Sequence, residues 1–263
     1  MTLKYTIHRQ LALMDKQYGP QGWWPGLVME HAAEGEPRLW RGTWSIKHGA
    51  TPSERFLKKK SEQVFEVAIG AILTQNTSWS NVEKALVCLA KKKLLTPQAI
   101  MAARPSTLAT CIRSSGYFRQ KAKKLKIFAK FVMKELEGDL TSLARHSTLN
   151  ASRHRRGSPS AARSTLLSLW GIGPETADTI LLYGLNQRTF VVDAYTRRWL
   201  VHLTKNRKWF KAPYEEMQDL FVGAGSPRPG RGNRAPTKRR IIHQFQQSHA
   251  LIVKWGKEKT SLT

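Results

Sequence analysis

The stretch that decides the fold is LWGIGPETAD, residues 169–178, followed shortly by FVVDAY, residues 190–195. Gly171 and Gly173 lack a Cβ, so the backbone of this turn can adopt positive φ and can approach a ligand closely. Pro174 suits the first position of a helix, where its missing N–H costs nothing. The free N–H groups of such a helix start attract phosphate oxygens. The stretch therefore predicts a hairpin between two helices that can grip a phosphate.

Asp193 ends the second stretch and precedes a helical pattern, AYTRRWL, over residues 194–200. An aspartate at this position is a good N-cap. The positive end of a helix dipole also favours the ionised carboxylate. Asp193 is therefore a candidate both for a structural cap and for a reactive anion, and the two interpretations are compatible.

Charge and composition narrow the class of partner. The chain has 263 residues, with 44 Lys and Arg against 18 Asp and Glu, so its formal net charge is +26. Such an excess indicates a polyanion partner, with nucleic acid favoured over an anionic membrane surface. Because neither an apolar run of about 20 residues nor a signal-peptide core occurs, we expect a cytoplasmic protein without membrane contact. With nucleic acid as the favoured partner, the expected location is the bacterial nucleoid. Cys88 and Cys111 are expected to be separate buried thiols that bind no metal.

Helical patterns dominate the chain, without alternating strands. Thr96 and Ser106 are predicted helix caps, and Gly138 is a predicted helix end. The predicted helices cover residues 65–73, 81–90, 98–103, 106–112 and 118–137. Three segments lack such patterns: an irregular one over 27–63, and two flexible basic loops over 145–163 and 223–240.

Three further motifs occur in order with the hairpin: GWWP at 22–25, AILTQNTSW at 71–79 and HALIVKWGK at 249–257. Together these motifs resemble the endonuclease III superfamily of DNA repair glycosylases, in the branch that includes helix-hairpin-helix 3-methyladenine DNA glycosylases. The resemblance implies an all-α fold of two domains. A six-helix barrel with the hairpin would span 64–187. The second helical domain would combine 1–63 with 188–263, and the cleft between the domains would face DNA.

The resemblance also implies roles for individual residues. Asp193 matches the catalytic aspartate. Glu175 stands where bifunctional members carry a lysine, and a carboxylate cannot form a Schiff base, so the chain is expected to be a monofunctional N-glycosylase. Gln75 matches the residue that enters the duplex in place of the flipped nucleotide. The implied base pocket consists of Trp23, Trp24, Pro25, Trp79 and Lys257. The implied DNA-binding residues are Gln75, Asn76, Gly171, Gly173 and Thr176.

An aromatic pocket suits an alkylated purine such as 3-methyladenine, because tryptophan faces attract cations and stack on flat bases. The four cysteines of cluster-bearing relatives are missing, so we expect no iron–sulfur cluster, no other cofactor and no metal. The expected partner is double-stranded DNA containing a damaged base, bound by a monomer. Three alternatives stay open: a glycosylase for mismatched or oxidised pyrimidines, a helix-hairpin-helix DNA-binding protein without turnover, and a bifunctional lyase.

Overall fold

The computed structural model describes residues 2–21, 54–144, 161–222 and 238–260. These residues contain helices and no strand, which confirms the predicted all-α class. The α-helices of the described residues are α1 (Leu3–Tyr18), α2 (Glu54–Leu73), α3 (Trp79–Lys91), α4 (Pro97–Ala102), α5 (Pro105–Cys111), α6 (Phe118–Glu135), α7 (Ala161–Leu167), α8 (Pro174–Thr179), α9 (Ala194–Thr204), α10 (Tyr214–Val222) and α11 (Lys238–Thr260). None of these helices is long and apolar enough to cross a membrane.

The chain divides into two compact units, and the boundary between them follows Leu185. The first unit, called here the hairpin unit, contains α2 to α8. The second, called the terminal unit, contains α1 together with α9 to α11. Each unit has its own buried apolar core, and each contains candidate functional residues.

Helix α6 shows how sequence pattern becomes structure in the hairpin unit. Its buried side chains recur at helical spacing, whereas most of its lysines are at least partly exposed, so one stripe faces the core. Gly138 follows the helix with φ 83°, and its N–H donates to the carbonyl of Val132 at 2.9 Å, which confirms the predicted stop. The helix itself ends at Glu135, two residues before the predicted end.

Other predicted boundaries need correction. Thr96 caps α4 as predicted, accepting from the N–H of Ala99 at 3.2 Å. Ser106 is not a cap, because Pro105 already occupies the first turn of α5 and Arg104 stands at the capping position. The helices also take residues from the three segments predicted as irregular: 54–63 in α2, 161–163 in α7 and 238–240 in α11. The remainder of those segments, 27–53, 145–160 and 223–237, lies outside the described residues.

The prediction of two separate thiols is wrong. Cys88 lies on α3 and Cys111 at the end of α5, and packing of these helices brings the two Cα atoms to 5.4 Å. This separation falls within the range of disulfides, and the two sulfurs are bonded. The sequence pattern could not reveal the pairing because it depends on how two helices pack.

A buried ion pair joins the helices on either side of the hairpin. Arg163 of α7 donates from Nε and Nη2 to the carboxylate of Asp178 in α8, over 3.0–3.1 Å. The two side chains are 8% and 0% exposed. A charge buried so deeply needs its partner, because desolvation would otherwise be uncompensated. Arg163 thus belongs to the folded hairpin, although its sequence neighbourhood suggested a flexible loop.

We predict that Arg163→Leu lowers the free energy of unfolding by about 3–5 kcal/mol, because it leaves the carboxylate of Asp178 buried without its cation. Urea unfolding measures the change. The double variant Arg163→Leu/Asp178→Leu should recover part of the loss. Arg9→Leu, which removes an exposed helical arginine from α1, should change stability by no more than about 0.5 kcal/mol. Equal losses in the Arg163 and Arg9 variants would contradict a structural role for the pair.

Candidate functional site

The hairpin occupies residues 168–173, between α7 and α8. Gly171 has φ 87°, a conformation that favours glycine, as predicted from the sequence. Gly173 differs, because its φ of −92° is open to any residue. A Cβ on Gly173 would meet nothing within 4 Å, so the exposed backbone ahead of α8 is open to an approaching group. Pro174 takes the first position of α8, as predicted.

Gln75 is bound to this hairpin by its side-chain amide. Its Nε2 donates to the carbonyl oxygen of Gly171 at 3.0 Å and to Oγ1 of Thr176 at 2.9 Å. Its Oε1 accepts from Nζ of Lys124 on α6. Thr176 is only 6% exposed, so its hydroxyl supports Gln75 from within the hairpin unit. The next residue along, Asn76, is exposed and has φ 53°.

The surface of the hairpin carries a feature that the sequence motifs do not indicate. The Trp170 side chain is 51% exposed, and Nζ of Lys123 lies 4.8 Å from the centre of its ring. An ammonium over a tryptophan face is an attractive arrangement. The pair thus presents an aromatic plane and a cation beside the glycine turn.

In the terminal unit, an extended segment leads into Asp193. Because this segment has no neighbouring strand among the described residues, its backbone needs side-chain partners. Helix α10 supplies two of them. The N–H of Val192 donates to the Tyr214 hydroxyl at 3.2 Å, and Gln218 Nε2 donates to the carbonyl of Phe190 at 2.7 Å. These bonds fix the direction from which Asp193 enters α9.

Asp193 is the N-cap of α9, as predicted. Its Oδ1 accepts from the backbone N–H of Thr196 at 2.7 Å and from the Thr196 hydroxyl at 2.9 Å. Its Oδ2 lies 3.4 Å from Nε2 of His249 on α11. The ring of Phe190 stands perpendicular to the His249 imidazole, with centroids 6.1 Å apart. The Asp193 side chain is 14% exposed, so the carboxylate is held firmly but is not sealed off.

The surroundings of Asp193 act on its pKa in opposite directions. Burial raises the pKa of this carboxyl, whereas the nearby His249 imidazole and the two bonds from Thr196 lower it. The lowering contributions win, so the pKa lies below its ordinary value of 3.8. The carboxylate is therefore ionised at neutral pH. Sequence reasoning missed His249 as a partner, because only the packing of α11 against α9 brings the two residues together.

The other predicted site residues are divided between the two units and the residues that the structure does not describe. Trp79 opens α3 in the hairpin unit, half-buried, and its Nε1 donates to Glu83 Oε1 at 2.9 Å. Lys257 is exposed on α11 in the terminal unit. Glu175 is exposed at the second position of α8. Trp23, Trp24 and Pro25 lie outside the described residues, so the predicted base pocket stays a prediction.

A hairpin between two helices, set in an all-α fold and followed by an aspartate that caps the next helix, defines the helix-hairpin-helix class. Residues 69–223 match the family model described as "HhH-GPD superfamily base excision DNA repair protein". The chain belongs to this superfamily, which is a family of DNA glycosylases.

Individual proteins agree with this assignment. A putative DNA repair glycosylase of Methanocaldococcus jannaschii is 40% identical over 163 residues, which cover 61% of this chain and 68% of that protein. The endonuclease III of Thermotoga maritima is 28% identical over 53% of this chain and 56% of its own length. Among solved structures, the fold resembles the H. pylori 3-methyladenine DNA glycosylase bound to 1,N6-ethenoadenine. That match has a TM-score of 0.62 and 23% identity, and it covers 97% of this chain and 98% of the other.

An iron–sulfur cluster ligated by four cysteine thiolates does not fit the residues present. The 263 residues include only two cysteines, and these two are bonded to each other within the hairpin unit.

We predict that His249→Gln raises the pKa of Asp193, because the variant loses an interaction that favours the carboxylate while burial remains. The lowered pKa means that ionised Asp193 stabilises the fold above pH 3.8, and this contribution is lost as the pH falls through the lowered value. In the His249→Gln variant, this stabilising contribution of Asp193 should begin to disappear at a higher pH than in the wild type. Carbon-13 NMR titration of the Asp193 carboxyl, assigned by comparison with Asp193→Asn, measures the shift.

His243→Gln is the matched control for this titration, because His243 is an exposed histidine of the same helix. In the His243→Gln variant, the titration curve of the Asp193 carboxyl should overlay the curve of the wild type. An unchanged Asp193 pKa in His249→Gln would show that the carboxylate depends on Thr196 alone.

Proposed function

We propose that this protein is a monofunctional DNA glycosylase that removes an alkylated purine, such as 3-methyladenine, from double-stranded DNA. The observation that most directly supports this proposal is the environment of the Asp193 carboxylate. One oxygen is fixed by two bonds from Thr196, and the other faces His249 in a partly open position. An enzyme that breaks a glycosidic bond needs such a preorganised anion close to the developing positive charge of the sugar.

The reaction follows from this arrangement. The target base must first leave the stack, because its glycosidic bond is out of reach inside the duplex. An N-alkylated purine carries a positive charge, so its departure as a neutral base needs no added proton. The bond from the base nitrogen to C1′ breaks, and its electron pair leaves with the base. Water then forms the new bond to C1′ and releases its proton to the solvent, while the carboxylate of Asp193 stabilises the oxocarbenium-like sugar and orients the water.

Glu175 supports the absence of lyase activity. It occupies the second position of α8, where bifunctional relatives are expected to carry a lysine that attacks the sugar. A carboxylate cannot form the Schiff base on which strand cleavage depends. The product is therefore an abasic site in an unbroken strand. The similarity of this chain to a putative DNA repair glycosylase and to a 3-methyladenine DNA glycosylase supports the same reaction class and substrate.

The hairpin unit supplies the proposed contact with DNA. The open backbone at Gly173 and the N–H groups of α8 suit a phosphate oxygen, and such contacts set the register of the protein on the duplex without reading sequence. The net charge of +26 adds long-range attraction. We propose that the protein acts as a monomer and without a cofactor.

We predict that the wild-type protein releases 3-methyladenine from duplex DNA and that strand breaks appear only after alkali. Asp193→Asn should lower the single-turnover rate by at least about 100-fold, because it removes the stabilising charge while keeping a similar shape. Asp219→Asn, which alters an exposed aspartate of the terminal unit, should retain the wild-type rate. Base release that survives in Asp193→Asn would remove Asp193 from the mechanism. A wild type that binds these duplexes but releases no base would favour a DNA-binding protein without turnover.

We predict that sodium borohydride traps no covalent complex between the wild-type protein and DNA, whereas Glu175→Lys does form one. The variant places an amine at the position where bifunctional relatives are expected to carry theirs. Gel electrophoresis of the reduced mixture measures the complex, and Glu175→Gln serves as the control without an amine. A trapped complex with the wild type would show that another lysine gives the protein lyase activity.

A further inference from the structure

The side-chain amide of Gln75 has a contact at each of its polar ends. A primary amide offers one carbonyl oxygen and two N–H bonds. In Gln75, the nitrogen donates to Gly171 and Thr176, and the oxygen accepts from Lys124. A lysine ammonium has donors and no acceptor, so the oxygen must be the end that faces it. The orientation of the amide is therefore fixed by its surroundings.

Lys124 reaches Gln75 by passing beneath the hairpin at Gly171. A Cβ at position 171 would lie 2.6–2.7 Å from three carbon atoms of the Lys124 side chain, closer than packing allows. Gly171 therefore has two functions: its positive φ forms the turn, and its missing side chain leaves room for the lysine stem. The sequence motif accounts for the first function only.

A second lysine of α6 strengthens the same connection. Lys121, one turn before Lys124, is 2% exposed and donates to the carbonyls of Leu73 at 2.8 Å and Ser115 at 2.6 Å. Leu73 is the last residue of α2, immediately before the loop that carries Gln75. Burial, together with the nearby charge of Lys124, lowers the pKa of Lys121 to about 8. The ammonium groups of both lysines thus donate hydrogen bonds within the protein.

We propose that Lys124 is a positioning residue that acts through Gln75. It locks the loop 74–78 to the hairpin, so that the loop and the hairpin engage the duplex as one rigid body. A phosphate seated on the hairpin then sets where the loop meets the base stack. This inference rests on the proposed function, because it assigns a task in base displacement. It also separates Lys124 from Lys130 and Lys134, exposed lysines of α6 that contribute only to the general attraction of DNA.

A double-mutant cycle tests the proposal. The variants are Lys124→Met, Gln75→Ala and their combination, and Lys130→Met removes the same charge from an exposed position of the same helix. The probe is a duplex with a tetrahydrofuran abasic-site analogue opposite 2-aminopurine, whose fluorescence reports insertion of the loop without any chemistry. Fluorescence anisotropy with the same duplex measures affinity at two salt concentrations.

We expect Lys124→Met to lower both the 2-aminopurine response and the single-turnover rate by about tenfold, since a small misplacement near the reacting centre is costly. Its affinity should fall no more than that of Lys130→Met, which leaves the fluorescence response unchanged. In the Gln75→Ala background, Lys124→Met should cause no further loss, because the residue through which it acts is gone. If Lys124→Met fails to fold, Lys124→Gln, which keeps a polar end at this half-buried site, takes its place in the cycle.

Two results would overturn the proposal. One is additive loss in the double variant, which would mean that Lys124 acts independently of Gln75. The other is a Lys124 variant that behaves like Lys130→Met, which would make Lys124 one more cation in the general field. Failure of the proposed function looks different: the wild type would release no base, while the fluorescence cycle would still report whether Lys124 and Gln75 are coupled.

Discussion

The buried ion pair between Arg163 and Asp178 is the constraint on which the hairpin depends. It holds α7 and α8 at a fixed spacing, and the turn between them can then take only a narrow set of conformations. The positive φ of Gly171 follows from that turn, and the carbonyl of the same residue becomes an acceptor for Gln75. A charged pair with almost no exposure is costly to form, so its value lies less in net stability than in specifying one geometry.

The terminal unit holds Asp193, the proposed reactive group, in a different way. Asp193 needs to be ionised and fixed in direction, yet partly open, and burial alone would oppose ionisation. Thr196 donates hydrogen bonds to one carboxylate oxygen, and the His249 imidazole lies beside the other. Both interactions favour the ionised form. The aromatic ring of Phe190 packs against the imidazole, so the histidine has little freedom to turn away. In both units, therefore, a polar side chain to which the proposed function gives a role is held by hydrogen bonds from its neighbours.

What the sequence could predict depended on whether the determining residues are close along the chain. The turn at Gly171, the helix start at Pro174 and the cap at Asp193 are local features, and the structure confirms each. Partners distant in sequence could not be predicted. Lys124 looked like one of many solvated lysines of α6, and His249 like one member of an apolar run. The pairing of Cys88 with Cys111 likewise depends on helix packing and leaves no mark in composition.

Because the protein is strongly positive, the proposed cationic base has to be recognised by short-range contacts. A net charge of +26 draws the protein to DNA but would repel a positively charged alkylated base. Recognition of such a base must therefore come from short-range features that outweigh the field: aromatic faces, and a carboxylate kept ionised in spite of burial. The ammonium groups of Lys121 and Lys124 make internal hydrogen bonds next to the loop, whereas the exposed lysines of α6 supply the long-range field.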